Sequence, residues 1–522
     1  LHIGLAAAIG FFSFRWLWAR RARNMLLFPA KQVGAIGGFS TALFYAALAG
    51  FSIPTQRALI MVTIVMVSLL VKRPVSITST LAFSLFVILI WDPLSVLSVG
   101  LWLSFSAVAI ILFTSQYRFP RPKWQWSKIH VFIAFGLTPL LLLFFSQVSL
   151  VAPIANIIAV PFISFVIVPL SLLASLMLWM FEPIGLLILT LIDMLLIPFW
   201  TFLDFVIALP FSHWSNAHIP WFYFAPITIG IALLLSPKGF PAKYLGLLGL
   251  LPLIFYSAER PDKGEFWFSL LDVGQGLSAV IQTQHHTLVF DTGPKFSDSF
   301  NTGTAIVLPF IQSQGIKQID RLVISHGDND HIGGASALLN AIDTQSVLSS
   351  SPADLTGASH CQPDQTWQWD DVTFTMLIPP QNNVISANNQ SCVLQIKNAA
   401  GSVLLTGDIE KHTELWLSNH YDEALKSTIL VAPHHGSNTS STASFIDMVN
   451  PKTVLFPVGY RNRYHFPNDK VKSRYRQRDI ASFNTAEHGA IMYRFGLDKL
   501  SAPITWRQHN HKIWTANTDI PK

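Results

Sequence analysis

Four ligand-type side chains crowd six positions of one segment. In Ser325-His326-Gly327-Asp328-Asn329-Asp330-His331-Ile332-Gly333-Gly334 they are His326, Asp328, Asp330 and His331. An apolar run, Leu322-Val323-Ile324, precedes the segment and a helical pattern follows it. On a loop at a strand end, two imidazoles and two carboxylates can converge on a pair of cations, whereas a merely solvated loop needs none of them. Two later segments have the same character. Leu404-Leu405-Thr406-Gly407-Asp408 ends an apolar run on a carboxylate suited to bridging two metals, and Val431-Ala432-Pro433-His434-His435-Gly436-Ser437 ends another on paired histidines. The chemistry this set could support is metal-assisted hydrolysis, in which divalent cations acidify water and offset charge on the attacked group. No GxxxxGK[ST] phosphate loop occurs, so any ATP-driven work falls to a partner.

The elements that must position these residues read as an α/β layered domain over 259–522. Short alternating or apolar runs at 267–271, 279–282, 287–290, 321–324, 373–377, 392–396, 402–405, 428–431 and 453–457 predict strands, and 334–341 and 411–419 predict helices. Cys361 and Cys392 are the only cysteines; their number excludes a Cys-rich zinc site, and the two are expected as buried thiols.

Residues 1–258 are a different material. They hold four acidic and fourteen basic residues, a formal +10, which leaves −4 for the rest of the chain. Apolar runs at 1–18, 34–52, 57–71, 78–91, 96–114, 129–147, 150–180, 184–210, 219–236 and 243–257 predict about ten membrane spans. The run 150–180 carries Pro153, Asn156, Pro161 and Pro169, which predicts either an interrupted helix or a kinked one. Basic residues gather in alternate connections: Arg15, Arg20, Arg21, Arg23 and Lys31; Lys72 and Arg73; Arg118, Arg121, Lys123 and Lys128; Lys238 and Lys243. The connections near 53–56, 92–95, 148 and 211–218 are nearly free of them. The positive-inside rule therefore puts the basic loops in the cytoplasm and the 259–522 domain in the periplasm or cell exterior. Arg57 and Asp92 are expected at interfaces, with Arg57 snorkelling, and Asn156, Asp193 and Asp204 are the channel candidates.

The order of the three ligand segments resembles the metallo-β-lactamase superfamily, whose loop reads His-x-His-x-Asp-His. Asp328 stands at the second His, and Asn388, Asn389 and Ser391 stand where a third motif would supply another. Those departures resemble one branch, the ComEC-type competence family of DNA-internalisation channels. Further matching stretches are Leu271-Asp272-Val273-Gly274-Gln275-Gly276, Phe290-Asp291-Thr292-Gly293, Leu1-His2-Ile3-Gly4, Arg57-Ala58-Leu59-Ile60-Met61, Asp92-Pro93, Leu103-Ser104-Phe105 and Ala152-Pro153-Ile154-Ala155-Asn156. The resemblance implies a polytopic helical membrane domain (1–258) that lacks the family's N-terminal soluble domain and first spans, joined to an αββα sandwich hydrolase (259–522). It implies an inner-membrane channel taking up one strand of transforming DNA, with a nuclease degrading the other strand of the arriving duplex. His326, Asp328, Asp330, His331, Asp408 and His435 would hold two divalent ions, Mn²⁺ or Zn²⁺, since oxygen-rich sites lean toward harder metals. Asp330 and His434 would be catalytic, and Asp272 and Asp291 orienting or structural. Implied partners are a periplasmic DNA receptor and a cytoplasmic helicase or ATPase; no oligomeric state is implied.

Substrate contact needs positive potential. Arg461, Arg463, Lys470, Arg474 and Arg478, with Tyr464 and Tyr475 interleaved, are the candidate DNA-binding residues, the last three cations spaced to share a helical face. Two other readings are an inactive hydrolase domain that docks DNA, and a periplasmic metallo-hydrolase of small substrates.

Overall fold

Along the strands of the second half, side chains alternate, and the alternation sorts them into two cores. In Phe266–Leu270, Ala279–Gln282 and Thr287–Phe290, the side chains Phe266, Phe268, Leu270, Ala279, Ile281, Leu288 and Phe290 face a second sheet, where Val372, Phe374, Met376, Leu394, Ile396 and Val403 meet them. Val280, Val289, Leu322 and Ile324 point the other way and pack with Val307, Ile311, Ala335 and Leu338 of flanking helices. The period of two thus yields a sheet covered on both faces. Full burial of a side chain such as Phe290 contributes about 2–3 kcal/mol of hydrophobic stabilisation.

One sheet has eight strands in the order Ala358–His360, Val347–Ser349, Arg321–Ile324, Thr287–Phe290, Ala279–Gln282, Phe266–Leu270, Ile491–Phe495, Ile504–Thr505. The other has seven: Thr366–Trp369, Val372–Met376, Leu394–Asn398, Gly401–Leu405, Ile429–Val431, Thr453–Phe456, Ala481–Asn484. Helices Lys411–Tyr421, Ala443–Val449 and Asp469–Arg476 supply Leu417, Phe445, Val449, Val471 and Tyr475 to the core beside the second sheet. The layers are α, β, β, α. Most strands lie within two residues of their predicted places. Val347–Ser349, Ala358–His360, Thr366–Trp369, Ala481–Asn484, Ile491–Phe495 and Ile504–Thr505 escaped prediction; the first two and the last are only two or three residues long, too short for a periodic signal.

Cys361 and Cys392 form a disulfide, correcting the expectation of two thiols. The reason is tertiary: residues 31 apart in sequence meet with Cα atoms 6.1 Å apart.

This computed structural model describes residues 2–72, 76–117, 125–210, 212–215, 219–237, 239–379 and 386–510. Of the residues used in the sequence argument, Leu1, Arg73, Arg118, Arg121, Lys123 and Lys238 lie outside them. The chain divides into two units, Leu1–Tyr256 and Ser257–Lys522.

The first unit is helical. Among the described residues three helices are long and apolar enough to cross a membrane: Ile53–Leu70, Ala152–Met180 and Glu182–Ile207. The expectation of ten spans is not met at that standard. The other apolar runs are helical too, but several are short, such as Ile77–Trp91 and Trp221–Leu235, and Lys243–Leu250 winds as a 3₁₀-helix. The run 150–180 is not interrupted: Ala152–Phe162, a π-turn over Ile163–Ile167 and Val168–Met180 continue as one helix. A wider turn beside Pro161 accommodates the residue that cannot donate.

Contacts between connections respect the alternation of basic and non-basic loops. Gln147–Ser149 pairs antiparallel with His213–Ser215, both from non-basic connections. Arg57 Nη2 donates to Ser98 Oγ at 3.0 Å, again between non-basic connections. Gln32, beside Lys31, donates through Nε2 to the Leu70 carbonyl at 3.0 Å, beside Lys72.

Candidate metal centre

The ligand-type residues stand at the carboxyl ends of parallel strands from both sheets. His326 to His331 follow Arg321–Ile324, which runs parallel to Thr287–Phe290; Asp408 follows Gly401–Leu405, and His434 and His435 follow its parallel neighbour Ile429–Val431. Chain reversal at such ends leaves loops free to converge. Gly407 (φ +54°) lets the Asp408 loop press against the histidine loop, since a Cβ there would lie 2.8 Å from the Ser325 Cβ. His434 and His435 are both left-handed, at φ +49° and +56°. Non-glycine residues held there store strain, and such strain gathers at functional sites.

Three side chains share a buried centre. His331 Nε2 lies 3.1 Å from Asp408 Oδ1 and 3.2 Å from His435 Nε2. His435 Nε2 lies 3.4 Å from Asp330 Oδ2 and 3.5 Å from Asp408 Oδ1. His326, His331 and Asp408 form one compact donor group, and Asp330, His331 and His435 another. His326 Nε2 is buried with no hydrogen-bond partner, and its nearest carboxylate oxygen, Asp328 Oδ2, is 3.5 Å away. An orphaned imidazole nitrogen beside carboxylates fits a cation ligand. The six residues offer three nitrogens and three carboxylates.

Groups behind these side chains aim them. Asp291, fully buried, accepts from Ser325 N and Ser325 Oγ, each at 2.6 Å, and pairs with His331 Nδ1 at 2.7 Å. Pro457 O lies 2.8 Å from His435 Nδ1. Both contacts leave the Nε2 atoms to face the centre. Ser391 Oγ accepts from Asp408 N at 3.2 Å, and Asn389 Oδ1 accepts from Glu410 N at 3.0 Å. The residues at the family's third motif therefore brace the Asp408 loop. Asp272 is tied to Arg507 at 2.9 Å and to Gly274 N.

The electrostatics are those of a site made for positive charge. Burial works against a proton on His331, but Asp408 and Asp291 outweigh it and hold the imidazole well above its ordinary pKa. Burial likewise opposes charge on His435, and Asp408 and Asp330 reverse that. Burial would raise the Asp408 carboxyl, but His435 and His331 hold it well below the usual range. Burial would raise Asp330 too, and a hydrogen bond to His435 with the charge of His331 brings it below. The neighbouring His326 imidazole lowers Asp328. Imidazoles and carboxylates thus oppose the cost of burial for one another at the centre.

The rim is built from residues seen and unseen in the sequence. His434 stands at the mouth, its Nε2 3.7 Å from Asp408 Oδ2 and its Nδ1 3.3 Å from Thr439 Oγ1. Glu410, 3.6 Å from His434 Nδ1, had no sequence signal beyond following Asp408 by two positions. Beside His434 lies Phe466, stacked on Tyr464; Tyr460 and Tyr464 are 65% and 49% exposed, with Arg461 and Arg463 over their rings. The helical face of cations does not form. Arg474 donates to the carbonyls of Ser440 and Ser441, and Arg478, past the end of the helix Asp469–Arg476, forks onto Asp447. Tyr475 is buried. Lys470 has no ion pair among the described residues. In the first unit, Asn156, Asp193 and Asp204 occupy exposed helix positions. The last two are three turns apart on one face of Glu182–Ile207, and no ion pair joins either to a described residue.

The family model for competence proteins matches residues 1–241, and that of the metallo-beta-lactamase superfamily matches residues 271–459. "Competence protein ComA" of Neisseria gonorrhoeae is 33% identical over 95% of this chain and 70% of its own length. The chain belongs to the ComEC-type competence family. A second member, "ComE operon protein 3" of Bacillus subtilis, is 28% identical over 86% of this chain and 62% of its own length. The chain spans about two thirds of the length of these relatives. Among solved structures, the metallo hydrolase Igni18 of Ignicoccus hospitalis matches with a TM-score of 0.32 and 14% identity, over 43% of this chain and 98% of that one. Membership in the family supports a role in DNA uptake at a membrane, and the second unit has the fold of metal-dependent hydrolases.

Proposed function

We propose that the chain is a multi-pass inner-membrane channel for one strand of transforming DNA, with an exterior two-metal nuclease that degrades the other strand. The observation that carries the nuclease reading is the orphaned His326 Nε2 among His331, His435, Asp330 and Asp408, in a chain of the competence family. His326, His331 and Asp408 would hold one cation and Asp330 and His435 the other, with Asp328 at the open side. Divalent cations there supply Lewis-acid chemistry: acidified water and offset charge on a phosphodiester. Asp330, half-buried beside His435, accepts a proton from the attacking water. The water oxygen bonds to phosphorus, one ester P–O bond breaks, and His434 at the rim donates a proton to the leaving oxygen. Asp291 and Ser325 fix the His331 ring. Tyr460, Arg461, Arg463 and Tyr464 form a lip suited to unpaired bases and their phosphates.

Three observations support ten spans with the hydrolase outside. Basic loops alternate with non-basic ones. The contacts of 147–149 with 213–215, of Arg57 with Ser98, and of Gln32 with Leu70 each join segments in or beside connections assigned to one side. A disulfide suits an oxidising compartment.

The test is cleavage of single-stranded DNA by the full chain with Mn²⁺, Zn²⁺ or Mg²⁺, wild type against Asp330→Ala. We expect activity with at least one metal and its loss in the variant. Binding without cleavage under every metal would leave the DNA-docking reading instead. A C-terminal reporter active only in the cytoplasm would reverse the orientation.

A further inference from the structure

Arg57, on the helix Ile53–Leu70, is only 5% exposed, so it does not snorkel as the sequence suggests. Its Nη2 donates to Ser98 Oγ, and its Nε is buried without a partner. The first half of the chain has four carboxylates, Asp92, Glu182, Asp193 and Asp204, all described, and none forms an ion pair with it. Asp92 instead caps the next turn by accepting from Leu94 N at 3.2 Å.

The guanidinium lies against the start of the helix Val99–Tyr117. Nη1 is 3.0 Å from where a Cβ on Gly100 would stand, so only glycine admits it there without displacement. A helix start has unpaired N–H groups and partial positive charge, which makes it the unfavourable end for a cation. In the preceding turn Pro93–Leu97, Ser95 is 4% exposed and its Oγ is also buried without a partner. Buried cations are ordinarily paired, because an unpaired one loses its hydration with no return. An orphaned guanidinium nitrogen and a helix start meet here with no anion, and an orphaned hydroxyl sits in the turn that leads into that start.

We propose that Arg57, Ser95, Ser98 and the first turn of Val99–Tyr117 form a phosphodiester-binding site. The guanidinium fork matches phosphate oxygens, and helix N–H groups complete the set. A phosphodiester reaches a membrane protein from a DNA strand or from a lipid headgroup. That the site faces the side where DNA arrives rests on the topology proposed above; the anion site itself does not.

The experiment uses the full chain in a phosphate-free detergent, with EDTA present so that any nuclease is silent. The background carries Arg461→Ala and Arg463→Ala, which removes the hydrolase lip. Probes are a short single-stranded oligodeoxynucleotide and phosphatidylglycerol, read by binding and by thermal unfolding. We expect Arg57→Gln to weaken binding of at least one probe about tenfold or more, and Arg57→Lys to weaken it less, since Lys keeps the charge without the fork. Without probe, Arg57→Gln should unfold no earlier than its parent, because it removes an unpaired buried charge. Loss confined to the lipid refutes DNA as the source, and loss confined to the oligonucleotide refutes lipid. If Arg57→Gln binds both probes as its parent does, or if Arg57→Gln unfolds earlier while Arg57→Lys binds unchanged, Arg57 is a structural residue and the proposal falls. A nuclease assay that fails for want of activity does not alter these readouts.

Discussion

Replacing Asp291 by Asn tests whether the groups behind the ligands set the affinity of the centre. The exchange is nearly isosteric, and Asn tolerates the left-handed backbone that Asp291 adopts at φ +57°. The amide oxygen can still accept from Ser325 N, 2.6 Å from Asp291 Oδ1. Toward His331 Nδ1, 2.7 Å from Oδ2, an NH₂ group replaces a carboxylate. Two donors then face each other unless the ring releases its Nδ1 proton, which moves the proton to Nε2, the nitrogen needed for metal. One charge-assisted hydrogen bond in a fully buried setting is lost, about 1.5–3 kcal/mol. At about 1.4 kcal/mol per decade, metal affinity should fall about 10–100-fold, the range expected when a group behind a ligand is removed. Competition with a chromophoric chelator reads that number, and thermal unfolding with and without metal checks that the fold persists. An affinity within about twofold of wild type, in a folded protein, would refute the assignment of His331 as a ligand aimed by Asp291.

Removing the disulfide by Cys392→Ser should destabilise the hydrolase unit by about 3–4 kcal/mol, from the loop entropy of a 31-residue separation, read as a denaturant midpoint. Asp370 is raised by burial, but hydrogen bonds from Thr283, His285 and His286 outweigh this and hold its carboxyl well below the usual range. Its folded-state pKa is depressed, so its stabilisation is present above the unfolded value of about 3.9 and is lost as pH falls through the folded value. Asp370→Asn should lower stability at neutral pH and flatten the acid-side decline in urea titrations. Arg461→Ala and Arg463→Ala should each cut the salt slope of single-strand binding by about one. Arg474→Ala should lower the melting temperature and leave that slope unchanged, since its guanidinium serves the Ser440 and Ser441 carbonyls.

Sequence alone determined the two materials of this chain and the segments whose side chains meet at the candidate metal centre. Charge density and apolar run length are one-dimensional quantities, so a membrane half and a hydrolase half separate without coordinates. Strand period and the clustering of His326, Asp328, Asp330 and His331 are local, and so were also legible. Only the tertiary structure could decide facts that join distant positions. The pairing of Cys361 with Cys392, the burial of Tyr475 and the use of Arg474 and Arg478 on carbonyls and Asp447 depend on which surfaces face each other. So does Arg57: its neighbours in sequence suggest a snorkelling cation, and only the approach of the helix start at Val99, with Ser98 41 residues on, leaves it buried and without a counter-charge. Periodicity reports which face of an element is apolar; it carries no information about what packs against that face.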